Sequence, residues 1–209
     1  NADKEMLKMV ATDSFRLAEK KTKLSSKVEK AIDCIVPART LIELGKILGK
    51  DFAKEQVEVL VSKNQVLFAV GGVELISRLI EGKFPDYEKI IPRATRTKLE
   101  VNVAGLTMAT KRVSLFAREN NNSIKISATN DGKMQIATDE TAIGEEKAEM
   151  DVKITGENNK VALNSQNLLD VLAHMKDEVS IELDEKLTPI VVKSAKKDDY
   201  LYIIMPLKV

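Results

Sequence analysis

The sequence predicts an α+β fold in which a unit of one helix and several antiparallel strands recurs along the chain. Three features predict it. Short runs of β-forming residues are separated by turn signals, and three stretches carry apolar residues at helical spacing. Those stretches begin about 65 and then about 61 residues apart, too long a period for a solenoid but natural for duplicated half-domains whose sheets each need a helix face to bury them.

Taken in order, residues 6–11 and 15–20 read as two strands joined at Thr12-Asp13-Ser14, where small polar residues favour a turn. Residues 29–36 read as a further strand, and Pro37 stands where a first helical turn accepts proline. Over residues 38–48, Leu41, Leu44, Ile47 and Leu48 recur at helical spacing and Gly49 ends the run. The opposite face carries Arg39, Glu43, Lys46 and Lys50. Strands at 57–62, 66–70 and 73–79 are broken by Lys63-Asn64 and Gly71-Gly72. Gly82, Pro85, Pro92 and the basic stretch Arg93-Ala94-Thr95-Arg96 then read as a linker between domains.

The plan returns after the linker. Residues 99–103 form a strand and 104–118 a helix, with Leu106, Ala109, Val113 and Phe116 or Ala117 inward and Thr107, Lys111, Ser114 and Arg118 outward. Strands at 124–129 and 134–138 flank the hairpin turn Asn130-Asp131-Gly132, and 148–155 supplies another. A third copy starts at 161–163, with Asn164 or Ser165 as helix cap and a helix over 166–176 that buries Leu168, Val171, Leu172 and Met175. Strands at 179–183, 189–193 and 200–205 complete it.

The chain has 209 residues, 31% charged and 44% hydrophobic, enough apolar surface for a core and inconsistent with wholesale disorder. Its 33 Lys and Arg nearly cancel 32 Asp and Glu, so net charge by itself demands no polyanionic partner. One cysteine, Cys34, excludes an internal disulfide, and no run approaches the roughly 18 apolar residues of a membrane-spanning helix. The opening Asn1-Ala2-Asp3-Lys4-Glu5 has no signal-peptide pattern, so a reducing, cytoplasmic setting is expected. Asn1-Ala2 reads as an expression-vector remnant, with natural residues expected before Asp3.

Catalytic chemistry finds little footing. An enzyme needs a nucleophile with a base, a metal cluster or a glycine loop for phosphate, and none is visible. Cys34 sits among isoleucines as a structural cysteine does, and His174 is the only histidine. The mixed-sign stretch Glu145-Glu146-Lys147-Ala148-Glu149 marks a solvated surface or an ionic interface rather than a carboxylate dyad. A non-catalytic protein without cofactor or metal is expected.

Two binding signals remain. Arg39, Lys46 and Lys50 on one helix and Lys111 and Arg118 on another, with Arg112 adjacent, would touch phosphates if both helices faced one surface; alone, such faces are ordinarily just solvated. No aromatic residue interleaves them and no Asn or Gln is placed to read bases, so single-strand stacking is not favoured and any contact would be with backbone phosphate and insensitive to sequence. The second signal is apolar: the end of the chain, from Tyr202 to Val209, and the loop Phe84-Pro85-Asp86-Tyr87 ahead of Ile90 and Ile91. These are either core or a groove for a partner's short peptide.

At these residues the sequence resembles the bacterial sliding clamps, the beta subunits of replicative DNA polymerase III. Residues 10–18 reading VATDSFRLA, 79–92 reading LIEGKFPDYEKIIP and 202–209 reading YIIMPLKV carry the likeness, in order and separation. The resemblance covers essentially the whole chain after Ala2. It implies a DNA-clamp fold with sheets outside and helices inside, in a ring of two head-to-tail subunits of three similar domains each, through which duplex DNA passes. On that reading residues 1–96 are the later part of the middle domain and residues 97–209 the whole last domain.

The resemblance also implies roles. The peptide groove maps onto Thr12, Ser14, Phe15, Arg16 and Leu17, then Pro85, Lys89 and Ile90, then Leu187, Pro189, Ile203, Ile204 and Met205, with Asn164 and Leu207 at its rim. Some clamps have Gly-His where this chain has Ser14-Phe15, and a small polar residue where it has Pro189; both changes keep the groove apolar. Arg39, Lys46, Lys50, Lys111 and Arg118 would face DNA. Leu115, Phe116, Glu145, Glu146 and Glu149 would form the last-domain side of the subunit interface, whose counterpart is the first domain of another subunit. The implied partners are duplex DNA, the replicative polymerase and the clamp loader, the last two through short peptides. The alternatives are a stand-alone, sequence-independent DNA-binding module without a groove and, more remotely, a hydrolase.

Overall fold

The structure, a computed structural model, describes residues 1–209 apart from Lys50, Asp51, Ala53, Lys54, residues 140–143 and Val209. It divides into two units, one of Asn1–Met9 and Thr22–Asp86, the other of Val10–Lys21 and Tyr87–Val209. Residues 87–96, expected as linker, therefore belong to the second unit.

In the first unit β1 (Ala2–Asp3) pairs with the start of β2 (Met6–Thr12); β2 runs on into a hairpin with β3 (Arg16–Lys23), and residues 10–21 of that hairpin belong to the second unit. The strand expected over 29–36 is absent. Ile32 bridges Ala2 and Ile35 bridges Ile80, so the segment switches partners within three residues and builds no continuous ladder. Helix α1 (Ala38–Leu48) has the expected bounds: Pro37 precedes it with a φ of −56°, and Gly49 closes it by donating its N–H to the Gly45 carbonyl at 3.2 Å. None of its residues is fully buried, and Ile42 is exposed.

Strands β4 (Glu58–Val61), β5 (Gln65–Val70) and β6 (Val73–Arg78) form a three-stranded antiparallel sheet in chain order. Val70 pairs with Val73, leaving Gly71 and Gly72 as a two-residue turn with φ of 57° and 80°, a left-handed pair that glycine adopts without a Cβ clash. Alternation buries Val66, Phe68 and Val70, while Leu60 and Ile76, both paired with Leu67, are exposed on the other face.

The second unit carries the larger core. Strand β7 (Thr97–Asn102) leads into α2 (Val103–Ala117), then β8 (Ser123–Thr129), β9 (Lys133–Ala137) and β10 (Lys147–Asp151). The second half repeats this: β11 (Lys153–Gly156), β12 (Asn159–Asn164), α3 (Ser165–Leu172), β13 (Glu178–Leu183), β14 (Ile190–Ser194) and β15 (Tyr200–Ile204). Within the unit one sheet runs β3-β15-β14-β13-β7-β11 and the other β10-β9-β8-β12. Each half thus lends its pre-helix strand to the other half's sheet: β7 pairs with β13, and β12 with β8.

The single strand expected over 148–155 is two strands in different sheets. At Val152, whose N–H is donated to the Gly132 carbonyl at 2.9 Å, the chain leaves β9's edge and joins β7's. Helix α3 is also shorter than expected. After Leu172 the N–H groups of His174 and Met175 bond back three residues, to Val171 and Leu172, and Asp177 with a φ of 59° turns the chain away. Side chains of α2 (Leu106, Val113) and α3 (Leu168, Val171) are almost completely buried with Ile126, Ile136, Ile181 and Val192 of the two sheets. Each is worth about 1.5–3 kcal/mol of transfer free energy.

Candidate functional site

The tip of the β2-β3 hairpin is ordered by its own side chains. Asp13 Oδ1 accepts the backbone N–H groups of Phe15 and Arg16, both at 3.1 Å, an Asx turn; Thr12 Oγ1 donates to the Arg16 carbonyl at 2.8 Å and accepts from the Ser14 N–H at 3.2 Å. Ser14 takes a φ of 74°, in the left-handed region that favours glycine. Phe15 is thereby presented to solvent, 67% exposed.

Arg16 turns the other way. Its Nε donates to Asp13 Oδ2 at 2.8 Å, and its Nη1 donates to the Asp170 carboxylate of α3 and to the Tyr202 hydroxyl at 3.3 Å. Gln166 Nε2, one turn earlier on α3, holds the other Asp170 oxygen at 2.7 Å. Partial burial disfavours the ionised form of both aspartates, but hydrogen bonds outweigh it and hold both below the ordinary carboxylate value: from Arg16 and backbone N–H groups at Asp13, from Arg16 and Gln166 at Asp170. The Arg16 guanidinium is held above its ordinary value by the same two carboxylates.

Register brings the end of the chain to this tip. Leu17 pairs with Ile203 and Arg16 with Ile204, Ile204 pairs with Ile190 at the start of β14, and the Met205 N–H is donated to the Phe15 carbonyl at 2.8 Å. Alternation then sorts the side chains. Ile204 and Tyr202 join the core shared with the helices, as Arg16 reaches α3 from the same face. Leu17 and Ile203 lie on the opposite face, 2% and 0% exposed and outside that core. A 3-10 turn, Tyr87–Ile90, is tied to the Leu17 face of β3 because the Tyr87 hydroxyl donates to the Glu19 carboxylate. Ile90 and Leu187 are exposed, Lys89 is exposed, and Pro189 and Met205 are half-buried. At the margin Asn164 caps α3 by accepting the N–H groups of Gln166 and Asn167, and the Leu207 N–H is donated to the Ala162 carbonyl at 2.8 Å.

The second unit therefore carries Thr12, Ser14, Phe15, Arg16, Leu17, Lys89, Ile90, Leu187, Pro189, Ile203, Ile204 and Met205, but not on one face: Leu17 and Ile203 are buried on one side of the sheet, Arg16 and Ile204 turn to the other side toward α3, and Phe15, Ile90 and Leu187 are exposed. Pro85 is exposed and belongs to the first unit.

Residues 1–86 match the family model of the DNA polymerase III beta subunit central domain, and residues 88–208 that of its C-terminal domain. The chain belongs to the DNA polymerase III beta subunit family. It is 34% identical over 200 residues to the beta sliding clamp of Staphylococcus aureus, covering 95% of this chain and 52% of that one. The crystal structure of the Bacillus subtilis DNA polymerase sliding clamp matches with a TM-score of 0.94 at 29% identity, over 100% of this chain and 55% of that one. A Pseudomonas aeruginosa sliding clamp bound to griselimycin matches with a TM-score of 0.92 at 26% identity, over 100% and 56%. The chain spans about half the length of the curated relatives it matches, and its fold is the DNA-clamp fold.

Within this beta-subunit chain the basic residues divide between the units. Arg39 and Lys46 are exposed on α1, where Lys46 pairs with Glu43 at 2.9 Å; Lys50 lies outside the described residues. Lys111 and Arg118 are exposed at the later part of α2 and just beyond it, and among the described residues neither enters an ion pair. Leu115 is 53% exposed and Phe116 half-buried. Glu145, Glu146 and Glu149 pair with Lys147, Arg112 and Lys133 at 3.1, 2.7 and 3.6 Å, so this acidic stretch is largely neutralised by its own unit.

Sequence reasoning missed Asp13, Glu19 and Asp170 as parts of this site, and singled out Tyr87 and Tyr202 only as members of apolar stretches, not for their hydroxyls. Asp13 carried a readable signal, since an Asp before two turn residues is an Asx-turn pattern. The long-range partners carried none, because nothing local in α3 or the 87–90 turn announces a strand residue 154 or 68 positions away.

Proposed function

We propose that this chain is part of a sliding clamp, a non-catalytic, cytoplasmic processivity factor that as a whole protein encircles duplex DNA in a two-subunit ring. Through the groove on β3, β15 and the 87–90 turn it tethers the replicative polymerase, the clamp loader and other replication proteins. What supports this most is convergence: in a member of the beta subunit family, the end of the chain pairs with the hairpin strand β3, and the 3-10 turn is hydrogen-bonded to that same strand. The division of the chain into a later part of the central domain and a C-terminal domain belongs to the same reading, as do Leu115, Phe116 and the Glu145, Glu146 and Glu149 stretch as the face toward another subunit.

The mechanism is topological. A ring linked around DNA needs no tight grip, so Arg39, Lys46, Lys50, Lys111 and Arg118 serve as weak, screened phosphate contacts compatible with sliding. Partners held by short apolar peptides stay at high effective concentration near the primer end without any new chemistry.

Calorimetry with griselimycin tests the groove. Saturable binding that weakens on Met205→Ala is expected, and absence of heat with folded protein would overturn it. For DNA, Lys111→Ala is expected to lower the salt dependence of duplex binding by about one counterion while leaving griselimycin affinity unchanged. This chain alone should dissociate from circular duplex at high salt, where phosphate contacts are screened; retention there would contradict the ring mechanism.

A further inference from the structure

Glu19 is 5% exposed, and a carboxylate so far from water persists only with partners. Lys21 Nζ stands 2.9 Å from one oxygen, and the Tyr87 hydroxyl donates to the other. Burial first, and then the hydrogen bond to Glu19, push the Tyr87 hydroxyl above its ordinary pKa, so it stays a donor throughout the physiological range.

The location of this pair gives it a consequence. Glu19 lies two residues beyond Leu17 on β3, so both side chains project from the same face of that strand. Tyr87 opens the 3-10 turn that carries Lys89 and Ile90, a four-residue element with no fully buried side chain. Resting on the groove reading above, we propose that Glu19 and Tyr87 are positioning residues of the peptide site: their hydrogen bond fixes the turn bearing Lys89 and Ile90 against the Leu17 face of β3, so a compact apolar ligand meets a preformed groove.

The pair touches the ligand only through the turn it holds. Without it the turn samples other positions, and affinity falls by the fraction of time the competent one is occupied.

Griselimycin affinity is measured on wild type, Tyr87→Phe, Glu19→Leu, Glu19→Gln and the Tyr87→Phe/Glu19→Leu double variant, alongside amide hydrogen exchange over residues 87–91. Tyr87→Phe and Glu19→Leu should each weaken binding about tenfold, and the double variant no further, because both remove one interaction. Glu19→Gln, which keeps an acceptor for the tyrosine, should restore most of the affinity, an outcome that thermal stability alone does not produce. Exchange over 87–91 should quicken in Tyr87→Phe while the Asn130-Asp131-Gly132 hairpin is unchanged. Unaltered exchange there overturns the proposal even if griselimycin fails to bind wild type, a failure that would instead count against the groove. Wild-type affinity in Tyr87→Phe overturns it with the groove intact.

Discussion

Arg16→Met removes the charge that joins the hairpin tip to α3 while keeping an apolar stem of similar length. Arg16 is 31% exposed at its side chain and its partners Asp170 and Asp13 are 40% and 51% exposed, so solvent screens both pairs and each contributes about 0.5–1 kcal/mol. The Tyr202 hydroxyl, on a residue 6% exposed, loses a donor, which adds about 0.5–1 kcal/mol. The expected loss is about 2 kcal/mol, or about 1 M in urea midpoint for a unit of this size. The chain has no tryptophan and its three tyrosines, Tyr87, Tyr200 and Tyr202, all lie in the second unit, so tyrosine fluorescence reports that unit's unfolding.

The pH dependence supplies a second arm. Both aspartates are held below their unfolded values, so their contribution is complete above about pH 4 and is lost as pH falls through the depressed folded values. The gap between wild type and Arg16→Met should therefore close on acidification toward about pH 3. A midpoint shift below about 0.3 M at pH 7, or one that persists undiminished in acid, would refute the account of Arg16 as an electrostatic tie.

Ser14→Gly should stabilise the second unit by about 0.5–1 kcal/mol, since relief of the left-handed backbone penalty exceeds glycine's entropy cost; a lower urea midpoint would contradict it. Leu106→Ala, at a fully buried position on α2, should cost about 3 kcal/mol in the same unfolding assay, and a loss under about 1 kcal/mol would mean that the α2 core collapses around the gap.

Much of the local structure was legible before any coordinates. The 38–48 helix, the Gly71-Gly72 turn and the Asn164 cap follow from interactions spanning a few residues, and the structure keeps all three. The 29–36 segment misled because its apolar residues bridge two different elements instead of one strand. The 148–155 run misled because its β-forming residues continue through Val152, where the chain changes sheets. At the site, the groove residues were named by family resemblance, while alternation showed only that Ile203 and Ile204 face opposite ways. Which of them joins the helical core depends on α3 packing behind the sheet.

By itself, then, the sequence determined where helices and strands form and that their plan repeats, because hydrophobic period, turn chemistry and caps act over neighbouring residues. Only the tertiary structure decided that β7 and β12 change places between the halves, that Arg16 is tied to Asp170 and Tyr87 to Glu19, and that the end of the chain closes on the hairpin tip. Those arrangements depend on which distant surfaces bury one another and on which buried charges find partners there, and no local pattern along the chain encodes that choice.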